Sequence, residues 1–314
     1  MTAVYHTLSE ADARFGPAAV TIGNFDGLHA GHRRIMRRVA AVARERGWKA
    51  SVLTFDPHPT KVVAPERAPK LLSAPDERVA LMASEGIEQV LILPFTEELS
   101  CLSPEEFAQD ILSRRLDVRA VMVGENFRFG HKHAGDTHLL SELGRRYGFS
   151  VEAIPAVRMR GRMVSSSGVR GLIAEGRVEL AGRMLERCYS LAGPVVRGHG
   201  IGSKQTVPTL NLAPVAELLP ARGVYITRTR DTADDRSWPS LTNVGNRPTF
   251  NGDALTIETF LLEPLTGETP ADIQVDFLKR LREERKFESP DLLKAQILRD
   301  VARAKAYFRR RAAH

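Results

Sequence analysis

Residues 21–36 read TIGNFDGLHAGHRRIM. The apolar run Ala18-Ala19-Val20 precedes them, a turn rich in Gly, Asn and Asp follows, and a helical pattern takes over at about residue 29 and runs to 46. A strand that passes into a helix through such a turn is the building unit of a parallel α/β sheet. His29 and His32 fall at that junction, with Gly31 between them. Positions three apart on a first helical turn share a face, so both imidazoles can meet one ligand. The free backbone N–H groups and the helix dipole favour an anion there, and Gly31 removes a side chain that would obstruct close approach. The pattern points to phosphate chemistry, in which donors face oxygens whose charge grows in the transition state. The competing readings are a metal site and a structural histidine pair. No third His, Cys or carboxylate stands at a spacing suited to a metal.

The same alternation continues to about residue 175. ASVLTF, QVLILPF, RAVMVGENF and SVEAIPAV read as strands, and DERVALMASEG, PEEFAQDILSRRL, HLLSELGRRYG and SSSGVRGLIAEG as helices between or after them. Continuous apolar strands separated by helices of about ten residues predict a parallel sheet covered on both faces. Ligands of such sheets bind beyond the carboxyl ends of the strands, where His29 and His32 lie. After VELAGRMLERCYSLAG the rhythm changes. GPVVRGHG, GVYITRTR, SWPSLTNVG, LTIETFLLE and ADIQVDFLKRL are strand-like runs divided by Gly, Pro, Asn and Asp turns. They predict a small antiparallel β-barrel or sandwich. One helix closes the chain, with Ser289 as N-cap and Pro290 at its first position. Leu293, Ile297, Val301, Ala304 and Phe308 form its apolar face. The expected division is 1–185 and 186–314.

A chain of 314 residues holds one large domain or two ordinary ones. With 43% hydrophobic and 26% charged residues it is globular, neither disordered nor fibrous. The opening MTAVYHTLSEADARF has no signal-peptide pattern, and no apolar run reaches membrane-span length. Cys101 and Cys188 stand far apart, which leaves a disulfide framework or structural zinc unsupported and points to a reducing cytoplasm. The net charge of +7 raises a nucleic-acid partner as an alternative. Aromatics interleaved with basic residues, as single-strand stacking requires, are missing. The expectation is therefore small-molecule partners, no nucleic acid and no membrane; oligomeric state is not legible.

His29-Ala30-Gly31-His32 resembles the HxGH signature of the nucleotidyltransferase superfamily, whose members attack the α-phosphate of a nucleoside triphosphate and release pyrophosphate. The longer GNFDGLHAGH resembles the opening of the bacterial bifunctional riboflavin kinase/FAD synthetases. TFDPHP at 54–59, GENFRFG at 124–130 and SSSGVR at 165–170 follow in that family's order. So do PTLN at 208–211, GVY at 223–225, TNVGNRPTF at 242–250, IETFLL at 257–262 and VDFLKRLREERKF at 275–287. The resemblance covers essentially the whole chain. It implies a Rossmann-like nucleotidyltransferase domain with a parallel sheet, then a riboflavin kinase barrel with a terminal helix. The implied activities are phosphorylation of riboflavin by ATP to FMN and adenylylation of FMN by ATP to FAD, with Mg²⁺ as cofactor.

For adenylyl transfer, the resemblance implies that His29 and His32 bind the triphosphate, while Gly23 and Gly27 let the backbone approach the nucleotide. SSSGVR resembles the family's SSTxIR, with Ser167 and Val169 as departures. Ser165, Ser166 and Arg170 are expected at the β- and γ-phosphates, and Asn126 at a nucleotide or flavin phosphate. Phe127 and Phe129 are either flavin walls or core aromatics, and His58 is a residue of loop shape rather than chemistry.

No Walker A motif occurs, so the kinase is not of the P-loop kind. Gly198, Gly200 and Gly202 are expected to wrap phosphates as a backbone nest, with Lys204 adding charge. Thr209 and Asn211 share one side of an extended segment and are expected to hold Mg²⁺. Glu258 is expected to take the proton of the ribityl 5′-hydroxyl. Where the family reads GRxLGFPTAN this chain has GSKQTVPTLN, so Ser203, Thr206, Val207 and Leu210 depart from the pattern. Thr206 beside phosphates resists conformations that glycine permits. A monofunctional FAD synthetase with an impaired kinase half is the alternative those departures suggest; a basic nucleic-acid-binding protein is the other.

Overall fold

The computed structural model describes residues 2–12, 14–196, 209–213, 217–234, 236–249 and 252–312. Its contacts divide the chain into two compact units, Met1–Ser166 and Ser167–His314.

The first unit is built on six parallel strands: β1 (Ala3–Tyr5), β2 (Ala18–Ile22), β3 (Lys49–Asp56), β4 (Gln89–Pro94), β5 (Val118–Gly124) and β6 (Ser150–Ile154). They lie in the order β1-β4-β3-β2-β5-β6. Strand order therefore reverses between β2 and β5, and a crevice opens there beyond their carboxyl ends. Side chains alternate between two cores. Ala18, Val20 and Ile22 of β2 enter one, while Ala19 enters the other beneath the main helix.

Three helices flank this sheet's early part: α1 (Leu8–Ala11), α2 (Ala30–Arg46) and α3 (Pro59–Val63). In α2, Ile35, Met36, Val39 and Ala43 recur on one buried face, and Gly47 ends the helix at φ 68°. Then follow α4 (Pro75–Ser84), α5 (Glu97–Cys101), α6 (Pro104–Glu106) and α7 (Thr137–Tyr147). The single helix expected from PEEFAQDILSRRL is instead divided. Ser103 and Glu106 close a capping box at the start of α6, and a wider π-helical stretch, Phe107–Arg115, continues it. That stretch keeps Phe107, Ala108, Ile111 and Leu112 buried. A short hairpin, β7 (Arg158–Met159) with β8 (Arg162–Met163), ends the unit.

The second unit carries α8 (Ser166–Ala174) from its second residue, then α9 (Val178–Leu185). Six strands follow: β9 (Tyr189–Val196), β10 (Thr209–Leu212), β11 (Gly223–Asp231), β12 (Ser237–Thr249), β13 (Gly252–Leu261) and β14 (Asp272–Arg282). They close as an antiparallel barrel in the order β10-β13-β12-β11-β14-β9, the last pairing back to β10. Of the two β forms left open by the strand pattern, the one adopted is the barrel, as the family resemblance implies.

One face of the strands joins Thr229, Ser240, Thr227, Thr242 and Thr259 in a chain of hydroxyl hydrogen bonds of 2.8–2.9 Å. All five are fully buried. The other face, with Val224, Ile226 and Leu241, is covered by α10 (Pro290–Ala312) through Val301, Ala304 and Phe308. The Ser289 hydroxyl accepts from Leu292 N–H at 3.3 Å, as expected of its N-cap. No helix among the described residues is long and apolar enough to cross a membrane.

Candidate functional sites

In the first unit the chain leaves β2 through Gly23–Leu28 and enters α2. His29 is the N-cap: its Nδ1 accepts the backbone N–H of His32 at 3.3 Å. The two imidazoles stack with centroids 3.6 Å apart and 20° between planes, and Phe25 meets His32 edge-on at 5.1 Å. Gly31 makes the stack feasible, because a Cβ there would lie 3.1 Å from His29 Cε1.

His29 is buried, and desolvation pulls its pKa from 6.5 down to about 4 against the opposing charge of Asp26. His32 is half-buried as a residue, but its Nδ1 is sealed from solvent without a partner. Its pKa is held well below the ordinary value by burial, then by His29. Both rings are therefore neutral near pH 7 and offer N–H donors.

Asp26 braces this turn. It is 1% exposed, and its carboxylate accepts from Leu72 N–H at 2.9 Å and Ser73 N–H at 3.3 Å. Its carbonyl accepts the Ser166 hydroxyl at 2.9 Å. Gly27 N–H reaches Ser73 Oγ at 3.1 Å, and its φ of 78° with Leu72 packed against it excludes a side chain. Gly23 leaves room for the Phe25 ring. Asp26 has no role in the expectations from sequence; its signal was an acidic residue in a turn, which is common enough to pass unremarked.

The sequence left His58 as a matter of loop shape, and the structure gives it partners. Its Nδ1 accepts Thr60 N–H at 3.2 Å, and its Nε2 lies 3.1 Å from the Asn24 side-chain amide nitrogen.

Asn126 is exposed just after β5, 3.8 Å from Met163 Sδ. With Gly23 and Asn24 it borders a cavity of about 690 Å³ beyond the carboxyl ends of the strands. Phe55, Phe95, Phe127 and Phe129 wall it, and Arg128 and Lys132 are on its rim. Phe127 stacks on Phe129 at 5.6 Å, and Phe129 also packs on Phe107 at 5.9 Å. Phe129 is thus both core and wall. Ser165 is half-buried before Ser166, and Arg170 lies one turn further along α8, in the second unit.

The basic run on α2 is largely engaged within the fold. Arg33 and Arg37 each lie 2.6 Å from the buried Glu85 carboxylate, and Arg38 lies 2.9 Å from Glu152. Charge counted as excess in the sequence is, at these positions, committed to ion pairs.

In the second unit, Thr209 and Asn211 fall on the same half-buried face of β10, with Leu210 and Leu212 on the buried one. Asn211 is the cross-strand partner of Glu258, which in turn is the partner of Asn243 on β12. Three polar side chains thus share one row across three strands. Glu258 and Asn243 open on a pocket of about 800 Å³. Its floor is Val224, Leu241 and Phe260, and α10 supplies Leu293, Ile297 and Val301 opposite. Asn243 went unnoticed in the sequence because only pairing with Glu258 distinguishes it from a turn asparagine.

Thr209 and Asn211 present oxygen donors only, a set that suits a hard cation such as Mg²⁺. Among the described residues no group of three His, Cys, Asp or Glu gathers to hold a metal by itself. Gly198, Gly200, Gly202 and Lys204 lie outside the described residues, as do Ser203, Thr206 and Val207.

Comparison with known proteins gives two family matches: FAD synthetase over residues 12–168 and riboflavin kinase over residues 185–308. The bifunctional riboflavin kinase/FMN adenylyltransferase of Pseudomonas fluorescens is 38% identical over 91% of each chain. The protein of the same description from Escherichia coli K12 is 33% identical over 96% of each. A crystal structure described as a macrolide-efflux protein from Streptococcus pneumoniae matches the fold with a TM-score of 0.85 at 25% identity. That match covers 97% of this chain and 98% of the other.

Proposed function

The chain belongs to the bifunctional riboflavin kinase/FMN adenylyltransferase family, and from that premise we propose that it carries out both steps, riboflavin plus ATP to FMN and ADP, then FMN plus ATP to FAD and pyrophosphate. The adenylyltransferase work is assigned to residues 1–185 and the kinase work to 186–314.

In the first reaction site, a terminal oxygen of the FMN phosphate attacks the α-phosphorus in line and pyrophosphate departs. The nucleophile is already anionic, so the demand is for positioning and charge neutralisation. His29 and His32 meet it as neutral donors. Their desolvated N–H groups strengthen as charge builds, and a bound polyphosphate favours their protonated forms. Ser165, Ser166 and Asn126 complete the phosphate contacts, and Gly23 and Gly27 let the backbone come close. The aromatic cavity beside Asn126 receives the isoalloxazine ring.

In the second site the nucleophile is a ribityl hydroxyl, which must lose its proton. Glu258 accepts it. Thr209 and Asn211 would hold Mg²⁺ with the ATP phosphates, and the ion when bound supplies charge neutralisation there. The 800 Å³ pocket beside Glu258 takes riboflavin. Gly198, Gly200, Gly202 and Lys204 are assigned to the ATP phosphates.

The observation that carries this reading is the row Asn211–Glu258–Asn243, of which Glu258 and Asn243 border that pocket. A kinase half kept only as a module would have no need of it, and neither alternative is favoured. Label tracing tests the reading. With riboflavin and ATP labelled at the γ-phosphorus, label enters FMN; with ATP labelled at the α-phosphorus, a second label enters FAD. Label in neither flavin overturns it.

A further inference from the structure

In the barrel unit, five side chains form a closed circuit beside the 800 Å³ pocket. Arg282, the last residue of β14, donates Nε to Asp300 Oδ2 at 2.8 Å. Asp300 is 2% exposed. Gln296, one turn earlier on α10, donates its amide to Asp300 Oδ1 at 2.8 Å and accepts from Arg285 Nη2 through its own oxygen. The Phe287 ring closes the circuit, with the guanidinium carbons of Arg282 and Arg285 at 5.8 and 4.7 Å from its centroid. Arg282, Arg285, Phe287 and Asp300 all border the pocket.

The circuit ends on an irregular stretch of chain. Residues 283–286 are exposed and lie in neither helix nor strand. Four successive charged residues there, Glu283 to Lys286, supply no apolar anchor. Arg282 and Arg285 attach the segment to one turn of α10, while Glu283 lies 3.9 Å from Arg280 and Glu284 packs against Gly245. A buried ion pair that served stability alone could be replaced by apolar side chains. This one instead carries its guanidinium to the half-buried aromatic on the pocket's edge.

We propose that Asp300 and Gln296 are positioning residues for riboflavin: acting through Arg282 and Arg285, they seat Phe287 as the aromatic wall against which the isoalloxazine ring packs. The inference rests on the barrel being the riboflavin kinase. A preset wall lowers the ordering cost of binding, so its loss falls on KM rather than kcat.

The test uses the full-length chain with Mg·ATP, measuring riboflavin phosphorylation and FMN adenylylation on the same samples. Asp300→Asn is expected to raise the riboflavin KM about tenfold, the loss of one charge-assisted hydrogen bond, with kcat within about twofold. Arg285→Ala, at an exposed position, raises it by a smaller factor, and Phe287→Leu does so while Phe287→Tyr does not. Trypsin cleavage after Lys286 quickens in Asp300→Asn, riboflavin slows it in the wild type, and adenylylation of FMN is unchanged throughout. A lowered melting temperature with an unchanged riboflavin KM in Asp300→Asn and Arg285→Ala overturns the proposal. Should Asp300→Asn fail to fold, an unchanged KM in Arg285→Ala and Phe287→Leu overturns it alone. A wild type that converts FMN to FAD but leaves riboflavin untouched overturns the kinase reading, and this inference with it.

Discussion

Glu258 on β13 is the cross-strand partner of Asn211 on β10. That register places the carboxylate beside the oxygens assigned to Mg²⁺ and opens it to the pocket assigned to riboflavin. Glu258→Gln keeps the shape and removes the proton acceptor. Riboflavin phosphorylation is expected to fall by about 10²–10⁴ in kcat, while adenylylation of added FMN is unaffected. Steady-state rates with each flavin check this; a kinase rate within a few-fold of wild type excludes Glu258 as the base.

Gly31→Ala tests the stacked histidine pair. Gly31 is the second residue of α2, and an alanine Cβ there lies 3.1 Å from His29 Cε1. The His29 ring must give by a few tenths of an ångström, which disturbs its stack on His32. FAD formation from FMN is expected to drop at least about tenfold, with thermal stability little changed. Full activity in Gly31→Ala contradicts the stacked pair as the working arrangement.

The histidines also make the first unit acid-sensitive. An unfolded histidine titrates at 6.5 and folded His29 at about 4. Below 6.5 the unfolded chain takes up a proton that the folded chain refuses. The stabilisation is full above 6.5 and is lost as the pH falls toward 4, at most about 3 kcal/mol from this one group. Urea unfolding followed by Trp48 in a Trp238→Phe chain measures it. His29→Asn, which retains a capping acceptor, is expected to flatten the profile; an equally steep profile would place the sensitivity elsewhere.

Thr242 lies within the buried hydroxyl chain, bonded to Thr227 and Thr259. Thr242→Val strands buried donors and acceptors and should cost about 1–3 kcal/mol. The loss is read as a lower unfolding midpoint of the barrel unit. No loss would mean the hydroxyls re-pair among themselves.

The sequence disclosed the parallel sheet because β2 is a continuous buried run and α2 shows a clear apolar stripe. It disclosed α10 for the same reason, down to its cap at Ser289. It did not disclose the π-helical stretch after Glu106, since Phe107, Ala108, Ile111 and Leu112 suit an ordinary helical stripe equally well. The strand pattern alone did not choose between barrel and sandwich, which only the family resemblance decided, because closure depends on β9 pairing with β10, and alternation within a strand says nothing of its partner. The site residues were visible as motifs. Their supports were not: Asp26, Asn243 and the Arg282–Asp300–Gln296 circuit depend on contacts between residues distant in sequence.

The central claim is that one chain holds two independent sites, and mixing two variants tests it most directly. His29→Ala is expected to turn riboflavin into FMN and stop there; Glu258→Gln is expected to turn FMN into FAD but leave riboflavin unchanged. Supplied with riboflavin and Mg·ATP, neither alone makes FAD, and the mixture does, because FMN released by the first is adenylylated by the second. A mixture of two folded variants that still makes no FAD would contradict two separable sites.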